Sequence, residues 1–131
     1  MTNLQLLKNS NDFALIGINP DKEKFAHRIY SLLKEKNKNV YGVNHKYPSV
    51  DGDTVYPSIL DIDHSIDIVV MVVNPTIGIT MLDDFASKGI KTLWLQPGTA
   101  SEQLITKAEG LGMNVIQDCV LAQYAHEKGS L

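Results

Sequence analysis

The 131-residue sequence predicts a single doubly wound, Rossmann-like α/β domain on a five-stranded, mainly parallel sheet. Three observations carry that expectation. Apolar β-branched runs alternate with amphipathic stretches from end to end, the pattern of parallel strands joined by helices. The run Ile68-Val69-Val70-Met71-Val72-Val73 is apolar throughout, as a central strand covered on both faces must be. Phe13-Ala14-Leu15-Ile16 leads into Gly17-Ile18-Asn19-Pro20 and then a helix, so a glycine turn and a helix N-terminus meet at one sheet edge.

In chain order, residues 13–18 form the first strand. Residues 24–37 form a helix with Phe25, Ile29, Leu32 and Leu33 on one face and Lys and Glu on the other. Asn37-Lys38-Asn39 breaks it, and residues 40–43 make the second strand. A polar loop follows over His45–Asp53, with Pro48 and Gly52. Val55-Tyr56 adds a small extra strand, and residues 58–63 a helical turn. Residues 68–73 are the third strand. Residues 76–87 are helical with Ile77, Met81, Leu82, Phe85 and Ala86 turned inward. Lys91 to Leu95 is the fourth strand. Ser101 caps a helix to Gly110, with Glu102 in its first turn. Residues 114–117 are the fifth strand, and the tail from Val120 is helical. The domain is expected to span residues 1–131, with its core at about 13–119, an N-terminal extension 1–11 and a C-terminal helix 120–127.

Hydrophobic residues make up 44% and charged residues 21%, the balance of a globular chain with a full core. The net charge of −3 argues against a nucleic-acid partner, which calls for a basic face. Cys119 is the one cysteine, so no intrachain disulfide forms, which fits a reducing compartment. The N-terminus lacks the basic and long apolar segments of a signal peptide, and no apolar run approaches about 20 residues. The expectation is a cytoplasmic protein with no membrane partner.

In such a sheet, ligands bind outside the carboxyl ends of the strands, where strand order reverses. The residues there are Gly17-Ile18-Asn19-Pro20, Asn44-His45-Lys46, Asn74-Pro75 after Val73, Gln96-Pro97-Gly98, and Asp118-Cys119. Glycines, prolines and amides suit loops anyway, but five such corners on one edge favour a site. The dinucleotide fingerprint G-x-G-x-x-G reads Gly17, Asn19 and Lys22 here. No acid follows the second strand to hold a ribose, and Asn44, His45 and Lys46 suit a phosphate instead. No phosphate-binding G-x-x-x-x-G-K-[ST] loop occurs.

From about Phe13 to Cys119 the chain resembles the small bacterial CoA-binding proteins. These are stand-alone relatives of the CoA-binding domain in the succinyl-CoA synthetase alpha subunit. The resemblance rests on Ile16-Gly17 through Pro20, His27-Arg28, Val43-Asn44, and Gly52 with Val55-Tyr56-Pro57-Ser58. It continues in Ile66-Asp67-Ile68-Val69, Trp94-Leu95-Gln96 with Gly98, and Asp118-Cys119. The family's Gly-Ala-Ser turn reads Gly17-Ile18-Asn19 here, its Asn-Pro reads Asn44-His45, and the serine before His-Arg is Ala26.

The resemblance implies a pose for coenzyme A. The Gly17–Asn19 turn would face the pyrophosphate. Asn44, His45 and Lys46 would sit near the adenosine ribose and its 3′-phosphate, and Arg28 would reach a phosphate or support the turn. Val72, Val73, Asn74 and Pro75 would line the adenine or pantetheine channel, and Gln96 and Gly98 the pantetheine arm.

Cys119, with His126 two helical turns on, has the residue types of a nucleophile and its partner, but a lone cysteine is usually an inert buried hydrophobe. Asp61, Asp63, His64 and Asp67 match no metal-binding spacing and read as a solvated turn; His27 reads as a packing or capping residue, and Trp94 as core. No metal is expected. The functional expectation is a CoA or acyl-CoA binding module without a reaction of its own. The alternative is an NAD(P)- or acyl-CoA-dependent enzyme or redox sensor, with NADP as cofactor because Lys46 suits a 2′-phosphate. A homo-oligomer or a protein partner remains open.

Overall fold

The computed structural model describes residues 1–129; residues 130 and 131, the end of the expected domain, lie outside it. The strands are β1 (Asp12–Ile16), β2 (Asn39–Val43), β3 (Ser49–Val50), β4 (Asp53–Tyr56), β5 (Ile68–Met71), β6 (Thr92–Leu95) and β7 (Asn114–Gln117). They form one sheet in the order β3-β4-β2-β1-β5-β6-β7. Every neighbouring pair is parallel except β3 with β4. The chain winds outward from β1 through β2, then returns to β5 on the other side of β1. The fold class is as expected, but the described strands number seven. The expected small extra strand at Val55-Tyr56 is the end of β4, and β3 is the addition; the two form a hairpin closed by Asp51 and Gly52, whose φ values are both positive (50° and 86°). That mirror-image turn is what Asp-Gly favours.

Register places the strand ends in one row. Ile16 lies opposite both Val43 and Met71, Val43 opposite Tyr56, Met71 opposite Leu95, and Leu95 opposite Gln117. The residues that follow each strand therefore share one edge.

The period of two sends alternate side chains to opposite cores. Ala14, Ile16, Val69 and Met71 pack with Leu82, Phe85 and Leu104 on one face. Phe13, Leu15, Ile68, Val70 and Trp94 pack with Leu7, Ile29, Leu33 and Tyr124 on the other. Met113 joins the first core and Met81 packs against it, as filler.

Helix α1 (Asn3–Asn9) lies within the N-terminal extension. Thr2 accepts from Gln5 N while the Gln5 side chain accepts from Thr2 N, a capping box, and Leu7 is fully buried. Helix α2 (Phe25–Glu35) is shorter than expected at both ends. Asn37 takes a left-handed conformation (φ 62°) just past it. Its first residue, Phe25, is 60% exposed rather than inward, while Ala26 and His27 beside it are buried.

The stretch 76–87 is not one helix. It comprises α3 (Pro75–Gly78), a 3₁₀ turn (Ile79–Met81) and α4 (Leu82–Ser87), and Ile77 is 47% exposed. Residues 58–63 contain the expected turn, a 3₁₀ segment Ile59–Asp61. Ser101 caps α5 (Glu102–Gly110) by accepting from Leu104 N at 3.1 Å.

Helix α6 (Val120–Gly129) lies beside α1. Asn3 Nδ2 donates to Asp118 Oδ2 (2.8 Å), and Lys8 Nζ pairs with Glu127 Oε2 (2.7 Å). Low numbers meet low numbers, so the two helices run in the same direction.

Candidate nucleotide-binding edge

Gly17 (φ 96°) starts the first corner, and its N–H donates to Val43 O (2.9 Å). A Cβ here would lie 2.9 Å from Val73 Cγ1 and 3.2 Å from Val72 O, so only glycine lets β1 turn against the end of β5. Ile18 is buried and packs over Gly42, where a Cβ would sit 2.5 Å from Ile18 Cδ1. Asn19 Oδ1 accepts from Asp21 N (2.8 Å), Asp21 Oδ1 from Glu23 N (3.0 Å), and Asp21 O from Lys24 N (3.1 Å). Pro20 is exposed. The helix thus starts after two side-chain-stapled turns rather than at once. Lys24 gives α2 no side-chain cap and its first turn holds no acid; the positive end of the helix dipole faces this edge. Arg28 is exposed, its guanidinium 5.7 Å from the centre of the Phe25 ring.

The second corner is organised by Asn44. Its Nδ2 donates to Ile18 O, its Oδ1 accepts from Lys46 N (2.9 Å each), and its backbone N–H donates to Tyr56 O (3.0 Å). His45 and Lys46 are exposed beside it. At the third corner Val72 and Val73 are half-buried. Asn74 Oδ1 caps α3 by accepting from Ile77 N (2.9 Å), with Pro75 at the first helical position.

The fourth and fifth corners join. Gln96 is buried; its Oε1 accepts from Trp94 Nε1 (3.1 Å) and Val120 N (2.8 Å), and its Nε2 reaches Cys119 Sγ (3.4 Å). Gly98 is exposed, with φ 88°. Cys119 is a half-buried free thiol. Asp118 accepts from Asn3, Gln123 and Cys119 N. Burial alone would raise its carboxyl, but those donors, with His126 nearby, hold it below the ordinary value of 3.8.

The structure brings Gly17–Asn19, Asn44–Lys46 and Val73–Pro75 into one contiguous group, and Gln96, Gly98 and Cys119 into a second further along the edge. Arg28 touches Phe25 rather than the glycine turn in the contacts described. Asn44 and Gln96, read as ligand-facing, spend their side-chain amides on the protein, and the Oδ1 atoms of Asn19 and Asn74 are engaged likewise. A shallow groove of about 420 Å³ continues the edge between α3 and α5, lined by Pro75, Ile79 and Ser101, and another of about 390 Å³ lies between α5 and β7, lined by Ser101, Ile105 and Gln117.

His27 is a packing residue, as expected: it is 5% exposed, with Nε2 2.7 Å from Asp51 Oδ2 and Nδ1 3.3 Å from Ser31 Oγ. Trp94 is fully buried. Asp61, Asp63, His64 and Asp67 are all exposed; Asp67 accepts from Asn11 and Asp12 N, and His64 stacks on Tyr41. Among the described residues no three His, Cys, Asp or Glu side chains are placed to hold a metal ion. No described helix is long and apolar enough to cross a membrane. The residues that sequence reasoning missed are Phe25, for which helical spacing gave the wrong side, and Asp51, whose signal was the Asp-Gly pair.

The family model described as CoA binding domain matches residues 11–125. An ADP-forming acetate–CoA ligase of Methanocaldococcus jannaschii is 31% identical over 88 residues, covering 67% of this chain and 12% of that one. The alpha subunit of an ADP-forming acetate–CoA ligase II of Pyrococcus furiosus is 27% identical over 130 residues, covering 90% of this chain and 28% of that one. The chain thus spans well under a third of the length of these curated relatives. A hypothetical protein from Pyrococcus horikoshii OT3 has a solved structure with a TM-score of 0.89 at 29% identity, covering 96% of this chain and 92% of that one. These relatives are archaeal, so the bacterial setting expected from the resemblance is not what they show. With 115 consecutive positions under the family model and a stand-alone structural relative of nearly its own length, this chain belongs to the CoA binding domain family.

Proposed function

We propose that this protein binds coenzyme A or an acyl-CoA along the carboxyl edge of its sheet and has no reaction of its own. The observation that carries this is the Gly17 turn, packed on Val73 beside the uncapped start of α2, at the reversal of strand order. Backbone N–H groups and a helix dipole there suit a pyrophosphate. Lys46, exposed at the neighbouring corner, suits the 3′-phosphate, and the α3/α5 groove leaves room for the pantetheine end and an acyl group. The chain covers 12% and 28% of the ligase relatives' own lengths, so the reading is confined to binding, with a protein partner to receive the acyl-CoA. One half-buried free thiol fits a cytoplasmic setting.

Calorimetric titration with CoA, acetyl-CoA, dephospho-CoA, NAD and NADP tests the reading. The expected result is binding of CoA and acetyl-CoA well above NAD and NADP. A preference for NADP would replace the reading with that of an NADP-dependent enzyme or sensor, since Lys46 suits a 2′-phosphate equally. Silence toward all five would overturn both.

A further inference from the structure

We propose that Asn44 and the His27–Asp51 contact are positioning groups for recognition of the 3′-phosphate by Lys46. This rests on the reading of the edge as a CoA site. Residues 45–48 form a short loop between two fixed points, exposed but for the half-buried Tyr47. At its start, Asn44 Oδ1 accepts from Lys46 N while its Nδ2 holds Ile18 O, so one side chain ties the Lys46 backbone to the glycine-turn corner. One N–H and one lone pair of the Asn44 amide are thereby engaged, which fixes the orientation of the side chain.

At its end, the loop enters the β3–β4 hairpin, which α2 grips from outside. His27 meets Asp51 across 2.7 Å, Asp53 accepts from Tyr30 and from Lys34 (2.8 Å), and Val50 is buried against Ile29 and Tyr30. Pro48 O also accepts from Val55 N (3.1 Å), which pins the last loop residue to β4. A flexible lysine reads a phosphate well only when its backbone is held. Two independent restraints on a loop of four residues meet that need.

The test compares wild type with Asn44→Ala, Asp51→Gly and Asp51→Asn, each titrated with CoA and dephospho-CoA. Glycine at 51 keeps the left-handed turn while removing the tether, and asparagine keeps both. Wild type is expected to prefer CoA about tenfold, the scale of one hydrogen bond to a charged group. Asp51→Gly should shrink that preference to about twofold while dephospho-CoA affinity stays near wild type, Asp51→Asn should keep it, and Asn44→Ala, which also releases Ile18 O, should weaken both ligands but CoA more. Should Asn44→Ala not fold, the Asp51 pair decides. Equal fold-losses for both ligands in Asn44→Ala would confine Asn44 to bracing the glycine-turn corner and overturn the proposal. A preference that survives in both tether-removing variants would overturn it too. Wild type binding CoA without preference would remove Lys46 from the site and this inference with it, whereas wild type failing to bind CoA would sink the functional reading itself.

Discussion

At Gly17 two demands meet. Its backbone is left-handed, and Val73 leaves no room for a Cβ. Gly17→Ala should therefore lose about 1–2 kcal/mol of stability from the left-handed φ alone, read by urea denaturation. A CoA titration of any Gly17 variant needs that stability measured beside it. Tyr124 presents the opposite case: its hydroxyl is buried with no partner among the described residues. Tyr124→Phe should leave the denaturation midpoint unchanged or raise stability by up to about 1 kcal/mol, since no hydrogen bond is lost and a desolvated hydroxyl is removed. At this scale the sequence was legible as to place and illegible as to role. Gly17, Asn44, Asn74 and Gln96 could be set at strand ends from pattern alone. Whether an amide faces a ligand or braces its neighbours depends on which carbonyl or N–H lies across from it, and that is a tertiary fact. Trp94 and Val120, which claim Gln96 Oε1, lie on different elements.

Among elements, α1 and β3, the first strand of the hairpin, are the two that the apolar pattern did not reveal. Both were written in local chemistry. Thr2-x-x-Gln5 is a capping-box spacing, and Asp51-Gly52 is the hairpin dipeptide, but neither element carries the long apolar period that marks the other strands and helices. Strand β3 has only two residues, and α1 only two turns, so each holds through its contacts. Leu7, fully buried between α1 and the sheet, is the anchor. Leu7→Ala should cost about 2–4 kcal/mol, measured as a fall in ΔG of unfolding. The exposures of Phe25 and Ile77 escaped for a geometric reason. Helical periodicity assigns a face but not its limits: the first turn of α2 buries Ala26 and His27 and leaves Phe25 outside.

For the whole molecule, the parallel five-strand core was readable because buried parallel strands are continuously apolar, and their registers then put every corner on one edge. Two carboxylates tie distant parts of that body together. Asp118 joins α1 to α6, and Asp53 joins α2 to the hairpin through Lys34 and Tyr30. Hydrogen bonds from Lys34 and Tyr30 hold Asp53 below its ordinary value, as the donors to Asp118 hold that group, while burial and Asp53 push the Tyr30 hydroxyl well above its own. Since both carboxyls titrate lower folded than unfolded, the unfolded chain binds protons first as pH falls. Their contribution is full above about pH 5 and is lost as pH drops through 4 toward the folded values. Urea midpoints from pH 7 to 3 should decline in that window, and less steeply in Asp118→Asn. The shared direction of α1 and α6 has a practical consequence for anchoring the protein. Met1 emerges beside Asp118 at the corner edge, whereas α6 ends at the opposite rim, about 15 Å of helix away. A sensor surface coupled through the carboxyl end therefore leaves the corners facing bulk solution, and a bulky amino-terminal tag stands directly beside them.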